Sequence, residues 1–251
     1  MEKQYVGGFV SVKSILEGNS REVYQIVFEQ ERYKNVTTSK FHAAEKRQYE
    51  YLEQKKIPIK FVQKDEFDRL VEGSTTGGIA AEVGPRNFCT LGMILEKTNS
   101  YLTILDGIED PFNFGYALRA LYAAGVDGVI LPKRNFFTAT ETVVRASAGA
   151  SELLMCCEVD DLTKACDEMK AKGIRVISTA KTDKAKDVFR TNFRRPLCMV
   201  YGGEKRGISA EISERSNLTV KIKYPRNCHY SLPACSAISI ISFEVANKIG
   251  K

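Results

Sequence analysis

Two histidines, His42 and His229, and seven irregularly spaced cysteines leave little from which to build a metal centre. No C-x-x-C pair occurs, and Cys156 and Cys157 are simply adjacent, which speaks against a zinc site. The cysteines read instead as reduced thiols that mostly pack. Nothing at the start resembles a secretory signal: Glu2 and Lys3 are charged and no apolar segment follows them. Residues 234–246, the most apolar long stretch, are too short and too rich in serine to span a bilayer. No G-x-x-x-x-G-K-[ST] occurs, and no G-x-G-x-x-G follows the strand that opens the C-terminal part, so P-loop and dinucleotide sites lose weight.

What remains is an ordinary globular composition: 251 residues, 43% hydrophobic and 27% charged. That is enough for one large domain or two small ones. The net charge is +6 and falls mostly after residue 88, with eight basic and three acidic residues between Lys181 and Arg206. A local basic concentration of this kind suggests contact with a polyanion on one face, although a solvated loop would look the same.

The stretch that organises the chain is 105–125, LDGIEDPFNFGYALRALYAAG. Its Asp-Gly and Asp-Pro pairs are turn signals. Asp110 can cap a helix, with Pro111 in the first turn and Gly125 just past the end. Phe114, Ala117, Leu118, Leu121 and Tyr122 recur at helical spacing and predict one buried face. Asn113, Gly115 and Arg119 are left over from that pattern. They form N-x-G-x-x-x-R where a strand turns into a helix, the place where α/β sheets present their sites.

Before this stretch, the pattern predicts a small α/β unit. Strands are expected at 23–28, 59–62 and 79–83, with a strand or turn and then a helix over 5–18. A long helix is expected over 31–56, with Phe41, Ala44 and Tyr51 as inward positions. Asp65 is expected to cap a helix running through Leu70, and 73–78 to form a turn. After residue 100 strands and helices alternate. Strands are expected at 101–105, 128–131, 153–157, 175–178, 197–200 and 218–222. Helices are expected at 113–124, 139–146, 161–172 and 233–248. Such alternation predicts a largely parallel sheet covered by helices. The expected layout is an α/β domain at 1–88, a linker at 89–100 and a second domain at 101–251.

The N-x-G-x-x-x-R motif resembles the first signature of the TrmH-type RNA 2′-O-ribose methyltransferases of the SPOUT superfamily. Two later stretches follow in the right order: Val200 to Gly207 (VYGGEKRG) and Ser231 to Ala237 (SLPACSA). The likeness is close over about 98–251. Over 1–88 the order of elements resembles the ribosomal-protein-like substrate-binding domain that precedes the catalytic domain in two-domain rRNA-modifying members. There, Thr75-Thr76-Gly77-Gly78 stands where the family often carries a histidine. The resemblance implies an α/β, SPOUT-type parallel sheet with a C-terminal trefoil knot.

It also implies S-adenosyl-L-methionine as cofactor, held by Gly202, Ile222 and Leu232, with Thr179 lining the same pocket. Arg119 is implied as the residue that contacts the phosphate and ribose and stabilises developing alkoxide charge, because a guanidinium stays protonated. Glu204 would orient Arg119 by a charge-assisted hydrogen bond; otherwise it is an acid at a helix N-terminus. Asn113 would position substrate or the third motif, or simply cap. Ser231 would hydrogen-bond within the site, or cap the last helix. The third motif departs from the family's Ser-Leu-Asn, since Pro233 stands at the Asn position; Cys235, Ser236 or Asn227 would have to replace that amide. Residues 145–150 (RASAGA) match a family stretch beside the substrate, or are a helix end with a glycine cap.

Lys181, Lys184, Lys186, Arg190, Arg194 and Arg195 are candidate RNA phosphate contacts. The implied protein is a cytoplasmic homodimer that modifies RNA, more plausibly ribosomal than transfer RNA, with no membrane or DNA partner. The alternatives are a tRNA 2′-O-methyltransferase, or a ribosome-assembly protein of this fold whose catalysis has weakened.

Overall fold

The computed structural model describes residues 4–34, 43–71, 76–108 and 110–250. In chain order, the first elements are β1 (Gln4–Gly7), α1 (Phe9–Gly18), β2 (Val23–Glu29), α2 (Gln30–Tyr33), α3 (Ala43–Glu53), β3 (Ile59–Val62), α4 (Lys64–Leu70) and β4 (Ile79–Val83). Then come α5 (Leu91–Glu96), β5 (Tyr101–Asp106), α6 (Pro111–Ala123), β6 (Gly128–Pro132), α7 (Thr140–Ala146), α8 (Ala150–Leu153), β7 (Cys156–Val159) and α9 (Leu162–Ala171). The last are β8 (Arg175–Thr179), β9 (Lys186–Asp187), β10 (Leu197–Gly202), α10 (Ala210–Arg215), β11 (Leu218–Lys221) and α11 (Ala234–Ile249).

The chain forms two compact units, and the first contains Met1–Asn87 together with Ala139–Leu153. Its sheet has the order β1-β4-β2-β3. β4 runs antiparallel to both β1 and β2, whereas β2 and β3 are parallel. Alternation along β2 splits the core: Ile26 and Phe28 join one apolar cluster with Val12, Ile15 and Val144, and Val27 joins Val62, Phe67 and Ala80 in another. The expected long helix is seen as α2 and α3; its middle, with Phe41, lies outside the described residues, as do His42 and Thr75. Leu52, not Ala44, is the buried residue of α3. Gln63 holds the N-cap position of α4, so Asp65 falls in its first turn.

A buried charge cluster ties the later segment into this unit. The Glu152 carboxylate accepts from Ser20 Oγ at 2.5 Å and Arg21 Nε at 3.0 Å, and Arg86 Nη1 lies 3.2 Å away. Burial alone would raise the Glu152 carboxyl, but Arg86 and Arg21 hold it below the ordinary carboxylate value. Close backbone approaches act with the charges. A Cβ on Gly18 would meet the Glu152 carbonyl oxygen at 2.1 Å, and one on Gly149 would meet Ser14 Oγ at 2.1 Å. Gly149 has a φ of +82, and its N–H bonds to the Val144 carbonyl. Within this unit the RASAGA stretch therefore ends a helix and packs against α1.

The second unit comprises Phe88–Thr138 and Leu154–Lys251. Its seven-stranded sheet has the order β7-β6-β5-β10-β8-β11-β9, and every neighbouring pair is parallel. Leu102, Ile104, Cys198, Val200 and Val176 cover one face and pack with Ala165, Cys166 and Met169 of α9 and Ile212 of α10. Tyr101 turns to the other face, where its hydroxyl reaches the Ser242 carbonyl of α11. Residues 89–100, expected as a linker, are built into this unit: α5 buries Ile94 and Leu95, and Cys89 bridges to Cys157. The strand expected at 153–157 begins later, at Cys156, because α8 precedes it. Among the described residues no helix is long and apolar enough to cross a membrane, and no group of His, Cys, Asp and Glu could hold a metal ion.

Candidate active site

β5 and β10 run in register and end side by side, Asp106 against Gly202. From these two ends the backbone segments cross closely. Gly203 N–H donates to the Asp106 carbonyl at 3.0 Å, Gly207 N–H donates to the Gly203 carbonyl at 3.0 Å, and Ser209 N–H donates to Asp106 Oδ2 at 3.0 Å. A Cβ on Gly203 would stand 1.8 Å from the Gly107 carbonyl oxygen, and one on Gly202 would stand 2.2 Å from the Gly207 carbonyl carbon. Both glycines are thus required by the chain's own backbone.

The loop so closed presents Glu204. Its Oε1 accepts from Ala234 N–H at 3.0 Å and from Asn113 Nδ2 at 3.4 Å. Asn113 is held in turn: Asp110 Oδ1 caps α6 by accepting Asn113 N–H at 2.8 Å, with Pro111 in the first turn. Cys235 Sγ donates to Asn113 Oδ1 at 3.5 Å. Pro233, at the N-cap position of α11, offers no side-chain bond, so Glu204 supplies the anion and acceptor that this helix start needs. One carboxylate therefore joins all three motifs.

Arg119 stands apart from that junction. It is exposed, and its side chain makes no hydrogen bond or ion pair among the described residues. It stands six positions after Asn113, which on a helix is about 9 Å of rise and about 120° of rotation. The expected bond from Glu204 to Arg119 is therefore not formed; Glu204 is committed to Asn113 and α11. Arg119 lies instead along an exposed stripe with Phe112, Tyr116 and Tyr122. Tyr122, expected on the buried face, is 46% exposed. Ser231 is exposed, two residues before the N-cap position, and makes no hydrogen bond among the described residues.

The remaining candidates lie along the carboxyl ends of β10, β8 and β11, which are adjacent strands. Gly202 ends β10, Thr179 ends β8 and Ile222 directly follows β11. Thr179 Oγ1 donates to the Val200 carbonyl at 3.0 Å. Leu232 N–H donates to the Tyr224 hydroxyl at 3.0 Å, and Lys181 Nζ lies 5.0 Å from the Tyr224 ring centre. Thr179, Ile222 and Leu232 are each half-buried. Partly covered apolar side chains beside strand ends suit an adenosyl group, which carries no phosphate and needs no phosphate loop. Tyr224, eight residues before Leu232, is the member that sequence reasoning missed as a partner.

The basic candidates divide by what already holds them. Lys181 Nζ donates to the carbonyls of Cys228 and Tyr230, both at 3.0 Å, and so pins the loop ahead of α11. Arg195 Nη1 bonds Asp127 at 2.7 Å and the Asn99 carbonyl at 3.2 Å. Burial alone would raise the Asp127 carboxyl, but hydrogen bonds from Lys97 and Tyr101 N–H, with the Lys97 and Arg195 charges, keep it below its usual value. Arg190 is 83% exposed, with Asp187 at 3.9 Å. Lys184, Lys186 and Arg194 are exposed.

Comparison with known proteins agrees with this architecture. Residues 100–243 match the SpoU rRNA Methylase family, and residues 5–89 match the RNA 2′-O ribose methyltransferase substrate-binding family. A Staphylococcus aureus (strain MSSA476) protein named as a TrmH family tRNA/rRNA methyltransferase is 35% identical over 198 residues, 77% of this chain and 79% of its own length. Two solved structures share the fold. The SpoU methyltransferase AviRb from Streptomyces viridochromogenes, in complex with AdoMet, superposes with a TM-score of 0.80 at 21% identity, covering 98% of this chain and 89% of its own. The AdoMet-bound rRNA methyltransferase from Sinorhizobium meliloti gives 0.76 at 17% identity, covering 98% and 87%. The chain belongs to the SpoU rRNA methylase family, the TrmH-type RNA methyltransferases.

Proposed function

We propose that this protein methylates a ribose 2′-hydroxyl in ribosomal RNA, with S-adenosyl-L-methionine as methyl donor. The observation that carries the reading is the Glu204 carboxylate, which locks Asn113 of the first motif to the start of α11. When bound, the cofactor supplies an electrophilic methyl on a sulfonium. The residues at the ends of β10, β8 and β11, namely Gly202, Thr179 and Ile222 with Leu232, would hold it. The protein's remaining task is to bring a ribose oxygen in line and to favour loss of its proton. Arg119 does this as a fixed cation: it binds the phosphate beside the ribose and stabilises the developing alkoxide. Asn113 and Glu204 fix the pitch of α6 and α11 against each other, and Ser231 contributes an uncommitted hydroxyl. Lys184, Arg190 and Arg194 are free to contact RNA phosphates, with Lys181 and Arg195 acting from anchored positions.

The acting species is a homodimer. Phe112, Tyr116 and Tyr122 on α6 lie half exposed, as do Ile240 and Phe243 on α11, which packs against α6. Large apolar side chains on two adjoining helices mark an association surface. Arg119 lies within that stripe, so dimerisation would shield it from water. Ribosomal RNA is favoured over transfer RNA by the rRNA family match over 100–243 and by the preceding substrate-binding domain. Free thiols at all seven cysteines fit a reducing cytoplasm. Pro233 favours a second reading, an RNA-binding ribosome-assembly protein of this fold, because it offers no side-chain amide where the family has one.

The deciding experiment is a map of ribose 2′-O-methylation in the source organism with and without the gene. Loss of one ribosomal RNA site is expected. Loss of a tRNA site instead would reassign the substrate, and loss of none, with the protein expressed, would leave the assembly reading.

A further inference from the structure

A cleft of about 980 Å³ opens at the carboxyl ends of β6, β5 and β10. It adjoins the ends of β10, β8 and β11, and the 202–207 loop stands at the β10 end common to both groups. Four cationic side chains line it: Lys133 and Arg134 after β6, and Lys205 and Arg206 after β10. Lys133 pairs with Asp160 at 2.7 Å, an exposed contact that solvent screens. Arg134 and Arg206 are exposed and, among the described residues, make no hydrogen bond or ion pair. Ile108 and the half-buried Phe136 supply apolar lining. Asp106 adds one acceptor: Oδ2 holds Ser209 N–H, and Oδ1 has no partner among the described residues.

We infer that this cleft binds an unpaired RNA nucleotide next to the acceptor ribose. The inference rests on the RNA-methylating reading and adds a site to it. Cations at the rim match a phosphodiester, the apolar lining with an aromatic ring matches a base face, and the free carboxylate oxygen matches a base N–H donor. The volume is that of a small-ligand pocket, too confined for a paired duplex. A cofactor at the β10-β8-β11 ends and a nucleotide in this cleft would approach Glu204 from opposite sides of one loop. None of these cleft residues belongs to the basic group at 181–195.

The test uses the full chain and a short unstructured RNA oligonucleotide as probe, with Arg134→Glu, Arg206→Glu and the double variant. Each single reversal is expected to weaken binding at least tenfold. The double variant is expected to flatten the slope of log affinity against log salt by about 1.4, from two lost phosphate contacts on a single strand. S-adenosylmethionine affinity by calorimetry and the unfolding temperature should stay as in the wild type. Wild-type affinity and slope in the double variant overturn the cleft, and so does a wild-type protein that binds no RNA. If the wild type binds RNA, the variants lose it, and no ribose is methylated, the cleft stands and the proposed reaction falls.

Discussion

Removing the Glu152 carboxylate should cripple the first unit. Its side chain is 0% exposed, and the side chains of Arg21 and Arg86 beside it are 1% and 3% exposed. Glu152→Ala takes the carboxylate that Arg21 and Arg86 share out of a buried cluster and strands the Ser20 hydroxyl. Breaking a buried ion pair from one side costs about 3–5 kcal/mol. A domain of this kind has only about 5–15 kcal/mol in total. At roughly 4 °C or more per kcal/mol, the unit should melt at least about 12 °C earlier. Glu152→Gln, which keeps volume and a hydrogen-bonding group, should lose less. The pH dependence has a definite sign. A carboxyl whose folded value is depressed adds stability above its ordinary value, about 4.3, and loses it as pH falls through the folded value. The gap between wild type and Glu152→Gln should therefore be full at neutral pH and close in acid. Circular dichroism melts, with hydrogen exchange of β2 and β4 to assign the unit, provide the readout. A loss under about 1 kcal/mol for Glu152→Ala would show that water solvates the cluster and would refute the argument.

Other perturbations separate chemistry from scaffold. Arg119→Ala should lower methyl transfer by about 100-fold or more, as expected for removing a group that stabilises developing charge, while calorimetric cofactor affinity changes less than twofold; unchanged turnover would remove Arg119 from the mechanism. Glu204→Ala should destabilise the second unit by about 1 kcal/mol, the usual worth of a helix cap, and also slow methyl transfer, whereas Glu204→Gln should restore most of the stability. Tyr224→Phe removes the acceptor for Leu232 N–H and should cost about 1 kcal/mol; cofactor affinity should change in that variant if Leu232 belongs to the cofactor site. Ile240→Glu with Phe243→Glu on α11 should shift the protein from dimer to monomer in sedimentation; a monomeric wild type would refute the association surface.

Local physics made much of this legible in advance. Asp110, Pro111 and Gly125 are a cap, a first-turn residue and a helix stop whatever surrounds them, and the structure uses them so. The parallel sheet followed from buried strands alternating with helices. Elements fixed by distant partners did not show. α5 was passed over because six residues carry too little periodicity, yet Ile94 and Leu95 are buried against β5 and β6. Nothing in 139–153 says that it belongs with the first unit, because the reason is one carboxylate meeting arginines more than sixty residues away.

The site divides along the same line. The resemblance picked out Asn113, Gly202 and Glu204, and the structure sets them on α6, at the end of β10 and in the loop after it, but their roles depend on three dimensions. A glycine pair after a strand suggests room for a ligand. Here the room is taken by Gly107 and Gly207, and a methyl group at either position would collide with backbone. The family resemblance implies Glu204 as the partner that orients Arg119. The rotation of α6 puts Asn113 toward Glu204 and carries Arg119 about 120° away. An arginine left without a carboxylate keeps its full charge available, and that is what a group must offer if it is to meet a phosphate and a developing alkoxide rather than a protein anion.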